Sequence, residues 1–217
     1  MKKSYQFSLA FVAILALAAS LASAAPAPGQ AGKWTARVRA TYLSMADKSD
    51  AFSALGINFK SDAISINSKM IPEFDFSYAF TDNITTELVL TIPQTQDVTL
   101  AGVGKLGTFK HLPPVLTAQY HFAPGAAVQP YIGAGANFTL IYGTNLSVAG
   151  VPLALENYSL GFAVQAGCDF AIGNEMYVNV DVKKAMLRSD VSVRGGARLT
   201  TAQLDPWLLS VGLGWRF

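Results

Sequence analysis

The sequence has little of what soluble enzymes and helical membrane proteins are built from. One cysteine, Cys168, stands in 217 residues, which excludes a disulfide framework within the chain and a multi-cysteine metal site. Only 14% of the residues are charged, whereas a soluble domain usually carries about a quarter. There are two histidines and no excess of either charge that would point to nucleic acid. After residue 24 no stretch approaches the roughly 18 consecutive apolar residues of a membrane helix. Yet 51% of the chain is apolar and the mean hydropathy is +0.32, which excludes disorder. Two classes remain: an apolar soluble β protein, or a β-barrel in a membrane.

The first 24 residues read as an address. Lys2 and Lys3 precede an apolar run from Leu9 to Ala19, and Ala22-Ser23-Ala24 supplies small residues for cleavage. A single anchoring helix would need a longer apolar core. Removing residues 1–24 leaves 193 residues, with 14 basic against 14 acidic groups, as a single domain over 25–217.

That domain repeats one pattern, a stretch of alternating apolar and polar residues followed by a turn or a loop. Ile64, Ile66, Met70, Phe74, Phe76, Tyr78 and Phe80 share one parity, while Ser65, Asn67, Lys69, Glu73, Asp75 and Ser77 hold the other. The pattern predicts strands at 34–46, 63–80, 84–93, 109–122, 128–142, 158–170, 175–186 and 203–217. Short gaps at Thr81-Asp82-Asn83, Ala123-Pro124-Gly125 and Ile172-Gly173-Asn174 alternate with long ones at 47–62, 94–108, 143–157 and 187–202. This is the layout of an all-β, eight-stranded antiparallel transmembrane barrel with short periplasmic turns and long extracellular loops. Sixteen strands of about ten residues would leave about two residues per connection, which excludes a general porin. An eight-stranded barrel has an interior barely wider than its own side chains, so any pore is narrow.

The C-terminus, Ser210 to Phe217, ends in an aromatic, and with the preceding Leu209 it places Val211, Leu213 and Trp215 on one face. Gly212, Trp215 and Phe217 in this arrangement resemble the insertion signal read by the outer-membrane assembly machinery. An edge strand this apolar would aggregate in water, a problem that bilayer and barrel closure solve together.

Further motifs coincide with this layout: His111-Leu112-Pro113-Pro114, Tyr131-Ile132-Gly133-Ala134-Gly135-Ala136-Asn137, and Leu204-Asp205-Pro206-Trp207. With the aromatic-Arg-Phe ending, they resemble the OmpW family of small outer-membrane barrels from about Lys33 to Phe217. The resemblance implies a Gram-negative outer membrane, an eight-stranded barrel and uptake of small hydrophobic compounds; the alkane-uptake branch belongs to the same family. Loops 47–62 and 143–157 carry no matching motif, so no particular solute is implied.

With Phe76 and Phe217 toward lipid, the opposite parity lines the lumen. Its lower half receives Arg37, Arg39, Glu73, Asp75 and Glu87, together with Gln119, His121, Gln165, Asp169, Asn179 and Arg216, a plug in which both signs of charge can pair. Its upper half receives Leu43, Met45, Ile71, Val115, Leu204 and Leu208, with Val89 near mid-height, an apolar vestibule. Ordinary filling of a barrel without traffic is the competing reading. Pro93 ends the third strand, and Pro113 and Pro114 follow His111 in the fourth. Each proline withholds a ladder donor, so these four residues mark an expected lateral seam. Phe52, Leu55, Ile57 and Phe59, and Val148, Val151, Leu153 and Leu155, make two loops apolar, either as a binding surface or as a lid.

Catalysis finds little support. His111 and His121 lie ten residues apart, about 33 Å along a strand, and no nucleophile motif such as G-x-S-x-G occurs. Cys168 reads as a small hydrophobe, and neither a cofactor nor a metal is expected. The expected function is passive uptake of small hydrophobic molecules with lateral exit into the membrane. A structural or adhesive barrel is the alternative, and a barrel enzyme comes third. The expected partners are outer-membrane lipids, small hydrophobic solutes and, during biogenesis, the assembly machinery.

Overall fold

The alternation read from the sequence becomes long strands joined edge to edge in a closed ring. The computed structural model describes residues 33–54, 56–173 and 175–217, so the expected signal segment, Leu55 and Asn174 lie outside the described residues. The barrel strands are β1 (Trp34–Ser44), β2 (Lys69–Ala79), β3 (Ile84–Thr91), β4 (Val115–His121), β5 (Val128–Val148), β6 (Tyr158–Ala171), β7 (Met176–Ala185) and β8 (Trp207–Arg216). Each pairs antiparallel with its sequence neighbour, β3 and β4 included, although a long excursion separates these two in the chain. The ring closes where β1 meets β8, from Thr35 opposite Arg216 to Ser44 opposite Trp207. Closure leaves no edge, which is what a strand-built protein needs inside hydrocarbon.

Alternation sorts the side chains into two sets. Phe74, Phe76, Leu88, Leu116, Ile132, Phe162 and Leu213 are exposed on the outer face, while Arg39, Glu73, Asp75, Glu87 and Lys183 are buried inside. In water that outer face would aggregate; in lipid it is solvated. Aromatic residues gather at the lower rim, where Trp34 and Tyr78 lie 5.0 Å apart and Tyr120 and Phe122 5.2 Å apart. Phe138 and Tyr158 pair at 6.3 Å toward the upper rim, completing the two girdles of a membrane barrel. The lower turns are tight: Phe80 N–H donates to the Ile84 carbonyl, and the Thr81 hydroxyl accepts from Ile84 N–H at 2.9 Å.

The long connections differ from the loops expected at 47–62, 94–108, 143–157 and 187–202. They carry further strands, which stack a second tier of sheet above the ring. Strands Gln94–Leu100 and Gly104–Leu112 form a hairpin that joins the upper half of β5, with Ile141 opposite His111. On its other edge β5 continues through Val151–Leu155, Arg188–Val193 and Arg198–Gln203 to Lys48–Ser49. The expected second strand is divided, with Ile64–Ile66 in the tier and β2 in the barrel. The expected fourth strand is divided at Pro113 and Pro114. The apolar loop residues Phe59, Val148 and Leu153 turn inward and are buried in this tier, and Phe52 stacks on Phe59 at 5.0 Å. Ile57 stays exposed.

Candidate functional site

The lower lumen is filled by one linked set of charges. Strands β1, β2, β3, β6 and β7 each aim charged side chains inward because those residues share the lumen parity. Arg39 is the hub: its Nε lies 2.8 Å from Glu73 and 2.7 Å from Asp75, and its Nη2 lies 3.5 Å from Glu87. Arg37 reaches Glu87 at 2.7 Å and Asp169 at 3.1 Å. Lys183 lies 3.4 Å from Asp181 and 3.7 Å from Glu73. Neutral donors satisfy further oxygens, with Tyr131 Oη donating to Asp181 and Asn179 Nδ2 to Asp169. At the lower end of this set, the Arg37 guanidinium lies over Tyr177 at 5.3 Å, and Arg216 lies against the same ring at 5.6 Å.

The five residues named for the plug from sequence are therefore brought together. Asp181 and Lys183 are not in that reading, although both follow Asn179 at alternate positions and share its phase. His121 sits below the network against Tyr131, with ring centroids 5.0 Å apart. His111 sits in the upper tier beside Phe109 and Gln96, so the two histidines serve different places.

Above the charges the lining turns apolar. Leu43, Met45, Ile71, Val89, Val115, Leu204 and Leu208 are all buried. Leu43, Ile71, Val89, Val115 and Leu208 line one cavity just above Glu73. Two more apolar cavities continue upward, one lined in part by Phe109, Ile141 and Leu204, the next by Phe52, Leu100 and Val148. Each is about 20 Å³, room for a water-sized group, so the column is packed with side chains throughout.

The wall beside the lowest cavity is incompletely laddered. Between β3 and β4 the last register pair is Val89 with Val115, and the next pair upward is Gln94 with His111. Between β2 and β3 pairing ends at Glu73 with Thr91, and the next backbone contact is Asn67 N–H to the Asp97 carbonyl at 3.3 Å. The segment holding Ile92 and Pro93 thus has no register partner on either side among the described residues. Side chains bridge part of the interruption: Thr91 Oγ1 donates to the Pro72 carbonyl and Lys69 Nζ to the Thr95 carbonyl, while Gln94 Nε2 donates to the Ile92 carbonyl within its own segment. Pro113 lines the cavity itself, and the Pro114 carbonyl accepts from Phe138 N–H. Pro93 is exposed.

At the C-terminus, Phe217 pairs with Trp34 through two 2.8 Å backbone hydrogen bonds, and its ring is 70% exposed on the lipid side. Trp215 also faces outward. Gly212 faces the lumen opposite Arg39. Cys168 is half-buried on the outer face and packs with Phe170 and Val180.

Comparison with known proteins agrees with this architecture. Residues 30–217 match the model of the OmpW family. The chain is 37% identical to the uncharacterized outer-membrane protein y4mB of Sinorhizobium fredii, over 96% of this chain and 93% of that one. It is 29% identical to the dibenzothiophene metabolism operon protein PahQ of Pseudomonas aeruginosa, over 89% and 93%. The crystal structure of the outer membrane protein OprG from Pseudomonas aeruginosa superposes with a TM-score of 0.76 at 26% identity, covering 87% of this chain and 97% of that one.

Proposed function

The chain belongs to the OmpW family and is an integral barrel of the Gram-negative outer membrane, and on that premise we propose that it carries small hydrophobic molecules passively across the outer leaflet. The solute enters among the apolar side chains of the upper tier, descends to the cavity above Glu73, and leaves sideways into the membrane where the ladders on either side of Pro93 are interrupted. The observation that carries this reading is the apolar column ending at that interruption, directly above a charged plug. An apolar solute gains about 25 cal/mol per Å² of surface taken out of water. The column preserves that gain, the charged lower lumen would reverse it, and the hydrocarbon outside Pro93 preserves it again. Because the column is packed, passage proceeds by displacement of its side chains.

The relative PahQ is named for a dibenzothiophene metabolism operon, whose namesake is an apolar aromatic, which agrees with this solute class. The chain acts as a conduit and not as an enzyme in this reading, and its partners are membrane lipid, solute and, during insertion, the assembly machinery. The packed column favours a second reading, a barrel with a structural or adhesive role and no traffic. Uptake of radiolabelled toluene and octane by cells with and without the protein separates the two. Replacing Pro93 with Thr and Pro113 with Val should slow uptake several-fold at unchanged barrel abundance. Equal uptake by cells lacking the protein would favour the structural reading.

A further inference from the structure

The cavity at the foot of the column is not uniformly apolar. Its wall includes His111, Thr139, Asn137, Thr91 and Glu73, whereas the two cavities above it are lined almost wholly by hydrocarbon. Most of these polar groups have protein partners: Thr139 Oγ1 donates to Asn137 Oδ1, and Asn137 Nδ2 donates to the Met186 carbonyl. His111 is different. It is 1% exposed; one ring nitrogen, Nε2, lies 3.1 Å from Gln96 Nε2, and the other, Nδ1, has no partner in the protein. With an amide N–H facing Nε2, that nitrogen accepts and Nδ1 carries the proton, so a buried donor is left unanswered. Buried polar groups in native proteins are nearly always answered, by protein groups or by water, and this one stands in the wall of the proposed solute path.

We propose that this cavity recognises a neutral hydroxyl on an otherwise apolar solute, with His111 donating to the hydroxyl oxygen and the Asn137–Thr139 side accepting its proton. The proposal rests on the uptake reading above and narrows its solute class to small alcohols and phenols. The hydroxyl is the matching group because it both accepts and donates; with the Gln96 amide turned over, Nδ1 would accept and a hydroxyl would still suit it. A carboxylate does not fit. Directly beneath stands Glu73, in a linked set of three cations (Arg37, Arg39, Lys183) and five carboxylates (Glu73, Asp75, Glu87, Asp169, Asp181). The arrangement also sorts position: the hydrocarbon body stays in the column above while the hydroxyl pauses beside Pro113, at the interrupted wall.

The isosteres p-cresol and p-xylene test this, with p-toluate as the charged control, against the purified barrel in lipid nanodiscs and empty nanodiscs as blank. Imidazole ¹⁵N signals of His111 should shift with p-cresol and stay put with p-xylene, while those of His121 respond to neither. In His111→Phe the ratio of p-cresol to p-xylene affinity should fall about fivefold, the worth of one hydrogen bond. His111→Gln should recover part of the ratio, and heat-modifiable mobility on gels confirms that each variant is folded. An unchanged ratio in His111→Phe, unmoved His111 signals, or p-toluate binding as well as p-cresol would overturn the hydroxyl site while p-xylene binding leaves the uptake reading standing. Binding of none of the three to the wild-type barrel would overturn both.

Discussion

Gly212 of β8 stands opposite Arg39 of β1, and a Cβ on Gly212 would fall 2.7 Å from Arg39 Cγ. The hub of the charge network is seated against a strand position that has no side chain. The same Cβ would lie 2.1 Å from the Val38 carbonyl oxygen, so the glycine cannot be exchanged without moving backbone. Gly212→Ala should cost about 1–3 kcal/mol by overpacking and shift Arg39 from its carboxylates. Urea unfolding in lipid vesicles measures the first, and single-channel conductance the second. Unchanged values of both would mean that β1 and β8 separate freely at this point.

Arg39 itself contacts Glu73, Asp75, Glu87 and Asp181 from three different nitrogens. Removing it leaves carboxylates facing one another in a narrow lumen, a loss of about 3–5 kcal/mol. Arg39→Ala should therefore lower the unfolding midpoint in urea and raise ion conductance in planar bilayers. Arg39→Lys should restore little of either, because an ammonium cannot span these partners as a guanidinium fork does.

How far such residues are legible beforehand depends on what alternation encodes. Parity separates lumen from outside, so the inward positions of Arg37, Arg39, Glu73, Asp75 and Glu87 follow from phase, and so would those of Asp181 and Lys183. Phase does not say where the membrane ends. From Gln94 to Leu100 the inward residues Gln94, Gln96, Val98 and Leu100 alternate with outward Thr95, Asp97 and Thr99. That polar outer face marks a strand in water, and a search for membrane-length segments reads it as loop. Register is out of reach as well. The prolines indicate weak pairing in the third and fourth strands, whereas the interruption between β2 and β3, on the other side of Pro93, emerges only once Glu73 is known to face Thr91.

Phe217 is bound to Trp34 by two backbone hydrogen bonds that a shortened chain would lose, and its ring adds lipid-facing surface at the lower girdle. The resemblance of Gly212, Trp215 and Phe217 to an insertion signal predicts a larger effect in cells than these contacts explain. Deleting Phe217 should reduce outer-membrane levels severely and leave unfolded chain in the periplasm, while refolding into detergent micelles loses much less. Fractionation and heat-modifiable gel mobility follow the two arms. Normal outer-membrane levels of the shortened chain would show that the signal does not depend on its last residue.

A lateral exit beside Pro93 makes a demand that a path straight through the lumen does not. Thr91 at the end of β3 and Pro113 below His111 flank the interruption, between the Val89–Val115 and Gln94–His111 pairs. Cysteines at these two positions, in a Cys168→Ala background to remove the native thiol, should form a disulfide if the strands approach within the bond's usual reach of about 4.4–6.8 Å between Cα atoms. Oxidation then ties the wall shut without altering the column above it or the charges beneath it. Uptake of an apolar solute should slow several-fold on oxidation and recover on adding reductant, with barrel abundance constant throughout. Conductance of small ions should not respond, because Arg39 and its carboxylates lie below the staple. If the disulfide forms and uptake is indifferent to it, the solute does not leave between these strands. The other interruption, between β2 and the segment after Thr91, would then be the wall to close.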